Sequence, residues 1–339
     1  MAGYIFYLLL GLVIILFAAE FFTNGIESFG RHFSFSQAVV GSIFAAVGTA
    51  LPETILPLVA IFMYGGQSSK EIGVGAILGA PFMLSTLAFF LVGLTVSVAA
   101  LRKKRAFELK VEAHSIKRDL LFFLAMYSMA IVLPLIFGRR SLVFISCALV
   151  AGYMLYAYMT FRGESADLEH SEGMYFWRIL CRIKGRPSSE QAPLFLILFQ
   201  IFAALLVMIK GAQTFVQSLE HISLQFGMDP LLFALLLAPV ATELPEKFNS
   251  VTWTWKGRDT LALGNITGAM VFQSTFPVSV GLLFTEWHIT GMALFSALRA
   301  IISSLAVVGV IVMRKRVSPF SMLFGGVLYL VYALVLIFR

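Results

Sequence analysis

The sequence predicts an all-α polytopic membrane protein: ten transmembrane helices, arranged as two inverted five-helix repeats with helices broken at mid-membrane. Three observations carry this expectation. The composition suits a chain dissolved in lipid, apolar runs of spanning length recur from end to end, and a Leu-Pro-Glu motif stands in matching surroundings in each half.

The 339 residues are 59% hydrophobic and only 13% charged, with a mean hydropathy of +0.91. Soluble domains carry about 25% charged residues, so the bilayer is the expected solvent. Runs of about 20 apolar residues cross about 30 Å of hydrocarbon as helix. They place spans at 4–29, 36–63, 71–99, 119–137, 141–161, 192–219, 230–255, 259–284, 289–312 and 318–338, with no room for a large soluble domain. No basic segment precedes the first run and no small-residue cleavage site follows it, so it is expected to be a retained helix rather than a signal peptide.

Charge placement sets the orientation. Arg31, the cluster from Arg102 to Arg118, the basic residues from Arg162 to Arg186, Lys256, Arg258 and Arg314 to Arg316 fall in alternate loops. The opposite loops and the C-terminus hold only Lys70, Arg139, Arg140 and Arg339. The positive-inside rule then makes the basic loops cytoplasmic and puts both termini outside, in a bacterial-type plasma (inner) membrane. The net charge of +7, which in a soluble protein would suggest nucleic acid, is accounted for by topology. The expected partners are inorganic cations and the lipid bilayer, with no nucleic acid.

The longest break in hydrophobicity divides the chain into a first repeat (1–161), a cytoplasmic linker (162–190) and a second repeat (191–339). Five spans per half is an odd number, so the second half enters the membrane in the opposite sense, as in inverted-repeat transporters. The halves also match in sequence. Val47 to Glu53 reads Val-Gly-Thr-Ala-Leu-Pro-Glu, and Val240 to Glu246 reads Val-Ala-Thr-Glu-Leu-Pro-Glu. Downstream, Gly75 to Ala80 answers Gly264 to Ala269, and Ser85-Thr86 answers Ser274-Thr275.

Pro52 and Pro245 each lie within an apolar span, where proline removes a backbone donor and clashes with the preceding turn. Breaks are expected there, and at Pro81, with carbonyls freed near Gly48 to Ala50 and Ala241 to Glu243. Glu53 and Glu246 follow the two motif prolines directly. Carboxylate, carbonyl and hydroxyl oxygens, the last from Thr49 and Thr242, form the donor set of a hard cation such as Ca²⁺. Glu53 and Glu246 are therefore the expected metal ligands, and an ionisable group at mid-bilayer is by default functional. Glu243 is a third carboxylate one turn before Glu246, repeat-matched by Ala50. It either makes the site more acidic or binds a proton, because crowded carboxylates rarely ionise together; alternatively it pairs with Lys247 or Lys210. Asn265 and Gln273 are polar groups on one helix with a reach toward a cavity, interhelical hydrogen bonding being the alternative for Asn265, and the paired glycines of the second motif are expected at close helix crossings.

These residues resemble the two α-repeats of the sodium/calcium exchanger family, within the calcium/cation antiporter superfamily. The family pattern Gly-Thr-Ser-Leu-Pro-Glu is similar to Gly48 to Glu53 and Ala241 to Glu246, and its Gly-Asn-x-x-Gly-Ser-Asn pattern is similar to Gly264 to Met270 and more faintly to Gly75 to Pro81. The resemblance implies that Glu53 and Glu246 are the central Ca²⁺ ligands and that Thr49 and Thr242 help line the cation sites with backbone oxygen. The chain departs from the family where serines that help bind Na⁺ are Ala50 and Glu243, and where Leu84 and Gln273 stand three residues past the second motif.

The expectation is a secondary active antiporter moving Ca²⁺ or another cation against Na⁺ or H⁺ by alternating access, with no cofactor beyond the transported ions. Two alternatives stand beside it: a proton-coupled exchanger that has lost its Na⁺ sites, and a channel-like or non-transporting protein on the same fold. The spans hold no Ser/His, Asp/Asp or His-rich metal constellation, which argues against an enzyme. Cys147 and Cys181 have no metal-ligand spacing and are assigned no role.

Overall fold

The computed structural model describes residues 2–33, 46–64, 66–163, 174–183, 192–289 and 291–337. Within its helices, the side chains of residues 2, 31, 46–49, 161–163, 179, 180, 183, 244–246 and 337 also lie outside the description. Among the described residues every regular element is helical. In chain order these are α1 (Ala2–His32), α2 (Ala46–Phe62), α3 (Gln67–Met83), which passes through a π-helical turn at Leu84–Ala88 into α4 (Phe89–Leu101), α5 (Ala113–Phe137), and α6 (Leu142–Gly163). A short helix, α7 (Tyr175–Ile183), follows. The second half comprises α8 (Leu194–Gln225), α9 (Pro230–Trp255), α10 (Asp259–Gln273), α11 (Phe276–Phe284), α12 (Gly291–Arg314) and α13 (Pro319–Ile337). Among the described residues, seven helical stretches are long and apolar enough to cross a membrane. Helix covers part of every predicted span, although residues 34–45 of the second lie outside the described residues.

Local chemistry sets the helix ends. α9 starts where Asp229 accepts from the Leu231 and Leu232 backbone N–H groups at 2.9 and 3.3 Å, with Pro230 at the first helical position, where its missing donor is no loss. It stops at Gly257, whose φ of 78° is the left-handed conformation that ends helices.

Lipid tails are as apolar as leucine, so helices pair in a bilayer where small residues let backbones meet. α1 and α8 cross where a Cβ on Gly11 would lie 2.8 Å from the Phe215 nitrogen and 2.9 Å from the Gly211 oxygen. α3 and α9 cross at Gly75 and Gly79, where a Cβ would lie 2.2 Å from the carbonyl oxygens of Leu231 and Leu235. Pro239 has no N–H for the Leu235 carbonyl, so the acceptor it leaves unmatched is the one that meets Gly79. The expected close crossings at Gly264 and Gly268 are absent among the described residues: nothing lies within 4 Å of a Cβ on the former, and only the Tyr156 hydroxyl, at 3.7 Å, on the latter.

The helices do not break at the predicted prolines. α2 runs through Pro52 and Pro57, and α9 runs through Pro239 and Pro245. Packed neighbours surround these turns; the nearby hydroxyls bond other carbonyls than those the prolines free, Thr54 donating to Ala50 at 2.7 Å and Thr242 to Ala238 at 3.1 Å. α3 likewise continues past Pro81 and distorts only in the π turn that follows. The break itself lies at Ser274-Thr275, between α10 and α11. Ser85-Thr86 sits in the π turn, so both irregularities fall on the motif that the two halves share. At each, hydroxyls take over carbonyls from the distorted backbone: Ser85 donates to Pro81 at 2.7 Å, Thr86 to Phe82, and Thr275 to Val271 at 2.9 Å.

The stretch read as a polar linker contains α7, and α7 is docked. Asn24 of α1 accepts from the Tyr175 backbone N–H at 2.9 Å, Gln200 of α8 accepts from that of Phe176 at 3.1 Å, and Gln200 donates to Asn24 at 3.0 Å. Its apolar side chains are interleaved with charges too densely for a hydropathy window to register, although they line one face of a helix.

Candidate cation site

α2 and α9, the helices that carry the two motifs, share one apolar cluster: Leu51, Ile55 and Leu56 from the first half pack in it with Ala238 and Ala241 from the second. Within this setting Glu53 is 8% exposed, Glu243 1% and Thr242 4%. Gln273 is buried at the C-terminal end of α10, beside the break. Asn265 is half-buried and reaches the Ser250 hydroxyl at 3.5 Å, so it joins α10 to α9. The Thr49 and Glu246 side chains lie outside the described residues; their backbones belong to α2 and α9. The structure therefore places Glu53, Thr242, Glu243 and Gln273 in the interior and Asn265 at its margin. Among the described residues no group of three His, Cys, Asp or Glu side chains stands ready to hold a metal. The third motif carboxylate, Glu246, falls outside that count.

A charge at the centre of a bilayer costs about 2.5–3.5 kcal/mol on insertion scales and is tolerated where it faces a bundle interior or pairs. Glu53 and Glu243 meet the first condition. So does a cation: Lys247 on α9, one turn beyond Glu243, is 1% exposed. Lys210, its alternative as a partner for Glu243, is on the surface, where its ammonium is 3.4 Å from Gln213. The signal for Lys247 was its four-residue spacing from Glu243, which puts both on one helical face.

Three more polar clusters were not predicted. Asp119 of α5 is 3% exposed, accepts from Thr267 at 2.8 Å and pairs with Arg118 at 3.1 Å; Thr267 lies inside the Gly264 to Gly268 motif. Arg105 donates to both carboxylate oxygens of Asp259, at 2.8 and 2.5 Å, and to the Thr254 carbonyl at 2.7 Å, so the loop after α4 clasps the α9–α10 turn. The bond to Asp259 raises the Arg105 pKa above its ordinary value, so this clasp is charged at every physiological pH. Arg299, buried within α12, donates to the Leu328 carbonyl at 2.8 Å and lies 3.9 Å over the Phe295 ring. Thr267 for Asp119, Asp259 for Arg105 and the Leu328 carbonyl for Arg299 are all remote in sequence, so no motif marks these contacts.

The family model for the sodium/calcium exchanger protein matches residues 3–162 and 196–339. CaxA of Alkalimonas amylolytica is 27% identical over 289 residues, which cover 85% of this chain and 82% of that protein. The sodium/calcium exchanger MaX1 of Methanosarcina acetivorans is 22% identical over 318 residues, 85% of each chain. Among solved structures, an H⁺/Ca²⁺ exchanger, CAX, superposes with a TM-score of 0.71 at 18% identity, over 99% of this chain and 82% of the other. The sodium-calcium exchanger NCX_Mj superposes with a TM-score of 0.53 at 20% identity, over 97% and 96%. At these identities the structural likeness is one of fold.

Proposed function

Because the chain belongs to the sodium/calcium exchanger protein family, we propose that it is a secondary active antiporter that moves Ca²⁺ against Na⁺ or H⁺ by alternating access. The family is one of membrane cation transporters, not enzymes. The observation that carries the reading is the burial of Glu53 and Glu243 on two helices, one from each half, that contribute to a single apolar cluster. A bound cation is the natural partner for carboxylates so placed.

Glu53 and Glu246 are the Ca²⁺ ligands in this reading. Thr49 and Thr242 line the site, Gln273 and Asn265 extend it along α10, and Glu243 supplies further negative charge. The two halves act as inverted repeats, 1–161 and 191–339, joined by the cytoplasmic linker 162–190, with ten crossings and both termini outside the cytoplasm of a bacterial-type inner membrane. The helix irregularities at the repeat-matched Ser85-Thr86 and Ser274-Thr275 support this repeat. Loss of hydroxyl ligands at Ala50 and gain of Glu243 favour H⁺ over a full set of Na⁺ ions as the counter-transported charge.

The test is radioactive Ca²⁺ flux in proteoliposomes under Na⁺ or pH gradients. Glu53→Gln and Glu246→Gln should each lower gradient-driven uptake by at least about tenfold, the scale of losing one charged ligand interaction. Transport that survives both substitutions would sink the assignment. A strict Na⁺ requirement, retained in Glu243→Ser, would count against proton coupling.

A further inference from the structure

We propose that Lys247 is part of the ion site, a tethered monovalent cation that sets how much charge is exchanged for each divalent ion. The inference rests on the antiporter reading above and adds its stoichiometry.

Glu243, Lys247, Ser250 and Thr254 are each no more than 1% exposed, whereas Phe248 and Asn249 between them are exposed. The spacing of four, three and four residues is that of one helical face, so α9 presents a continuous buried polar stripe to the protein interior. The stripe begins at the Leu-Pro-Glu segment. It ends where Arg105 caps the Thr254 carbonyl, and it is tied to α10 through Asn265 and Ser250. Cα–Cβ bonds on a helix tilt toward its N-terminus, so the Lys247 side chain sets out toward the turn that carries Glu243 rather than toward the helix end. A lysine at this depth that merely filled space would be replaced without loss by an apolar side chain; one beside the candidate ligands enters the charge balance of the site.

Counted as ionised, Glu53, Glu243 and Glu246 bring three negative charges, and Lys247 reduces them to two. One Ca²⁺ neutralises such a site, and so do two monovalent charges. Crossing a bilayer favours whichever loaded states are neutral. With Lys247 in place the exchange is one divalent ion against two monovalent charges, and no net charge moves. Without it, a third monovalent charge is needed on the return.

The experiment is equilibrium accumulation of Ca²⁺ in proteoliposomes of the full-length chain, at a fixed gradient of the coupling ion, with the membrane potential set by potassium and valinomycin. Gradient-driven uptake by the unaltered protein comes first; its absence would defeat the antiporter reading itself. Given uptake, the unaltered protein and Lys247→Arg should accumulate Ca²⁺ independently of potential. Lys247→Met should shift its accumulation ratio about tenfold for each about 59 mV, the signature of one uncompensated charge. A tenfold shift in the unaltered protein, or none in Lys247→Met, overturns the inference. Should Lys247→Met fail to fold, Glu243→Gln alone and the double variant Glu243→Gln/Lys247→Met report the same quantity. The first should respond to potential and the second should not, and an indifferent Glu243→Gln overturns the proposal equally.

Discussion

A methyl group separates two kinds of glycine in this molecule. On Gly79 it would meet the Leu235 carbonyl at 2.2 Å, a rigid backbone atom that cannot swing aside. Gly79→Ala should therefore push α3 off α9, costing about 1–3 kcal/mol as overpacking does, and thermal melting in detergent together with Ca²⁺ flux would register it. On Gly268 the nearest atom is the end of a tyrosine side chain at 3.7 Å, so Gly268→Ala should stay within about 0.5 kcal/mol of the unaltered protein. Sequence pattern alone treats these two positions as equivalents, since both stand in Gly-x-x-x-Gly. Which one lies at a crossing depends on where the neighbouring helix runs. The acidic residues were easier to find. A carboxylate in or beside a proline motif of an apolar run needs no tertiary information to be conspicuous; Glu53 and Glu243 are buried, and the Glu246 side chain lies outside the described residues.

Elements hold together here by polar contacts between segments far apart in the chain. α7 is fastened by Gln200, whose amide also donates to the Phe21 carbonyl at 2.9 Å. Gln200→Leu would leave the Phe176 N–H and the Phe21 carbonyl without that amide, at about 1–3 kcal/mol for the pair of lost bonds. Faster tryptic cleavage after Arg178 and Arg182, both exposed on α7, is the expected outcome, and unchanged cleavage would show that the helix stays docked without the glutamine. The Arg105 clasp is the stronger contact, because Asp259 is fully buried. Arg105→Gln would strand that carboxylate, at about 3–5 kcal/mol by analogy with broken buried pairs, visible as a fall in Tm. The sign of the Arg105 contribution follows from its raised pKa: the guanidinium stays charged until pH rises through its own titration, far above the physiological range. Melting temperatures between about pH 6 and 9 should therefore show no slope from this clasp. The prolines teach the same lesson about elements. Reading Pro52 and Pro245 as breaks follows from the missing donor, yet α2 and α9 continue through them within a packed helical interior.

For the molecule as a whole, the lipid-facing surface and the loop charges bear on one arrangement. Phe17, Phe144 and Leu206 are 66%, 75% and 68% exposed, a surface that suits hydrocarbon and not water. Arg102 and Lys104 stack on Trp255 at 5.8 and 4.7 Å, the aromatic and basic belt expected at a membrane interface. If the basic loops are cytoplasmic, a cysteine at Lys256 should be shielded from a membrane-impermeant maleimide in intact cells and one at Gln67 should react, in a background with Cys147 and Cys181 replaced. The reverse pattern would invert the topology. Hydropathy and charge alone determined the all-helical membrane class and marked the acidic candidates, because the cost of leaving polar groups in lipid acts residue by residue along the chain. Only the tertiary structure decided that α2 and α9 survive their prolines, that α7 docks, that Gly75 and Gly79 rather than Gly264 and Gly268 lie at a close crossing, and that Lys247 is buried with Glu243. Each of these depends on which distant backbone or side chain arrives alongside, a three-dimensional fact that no local run of residues contains.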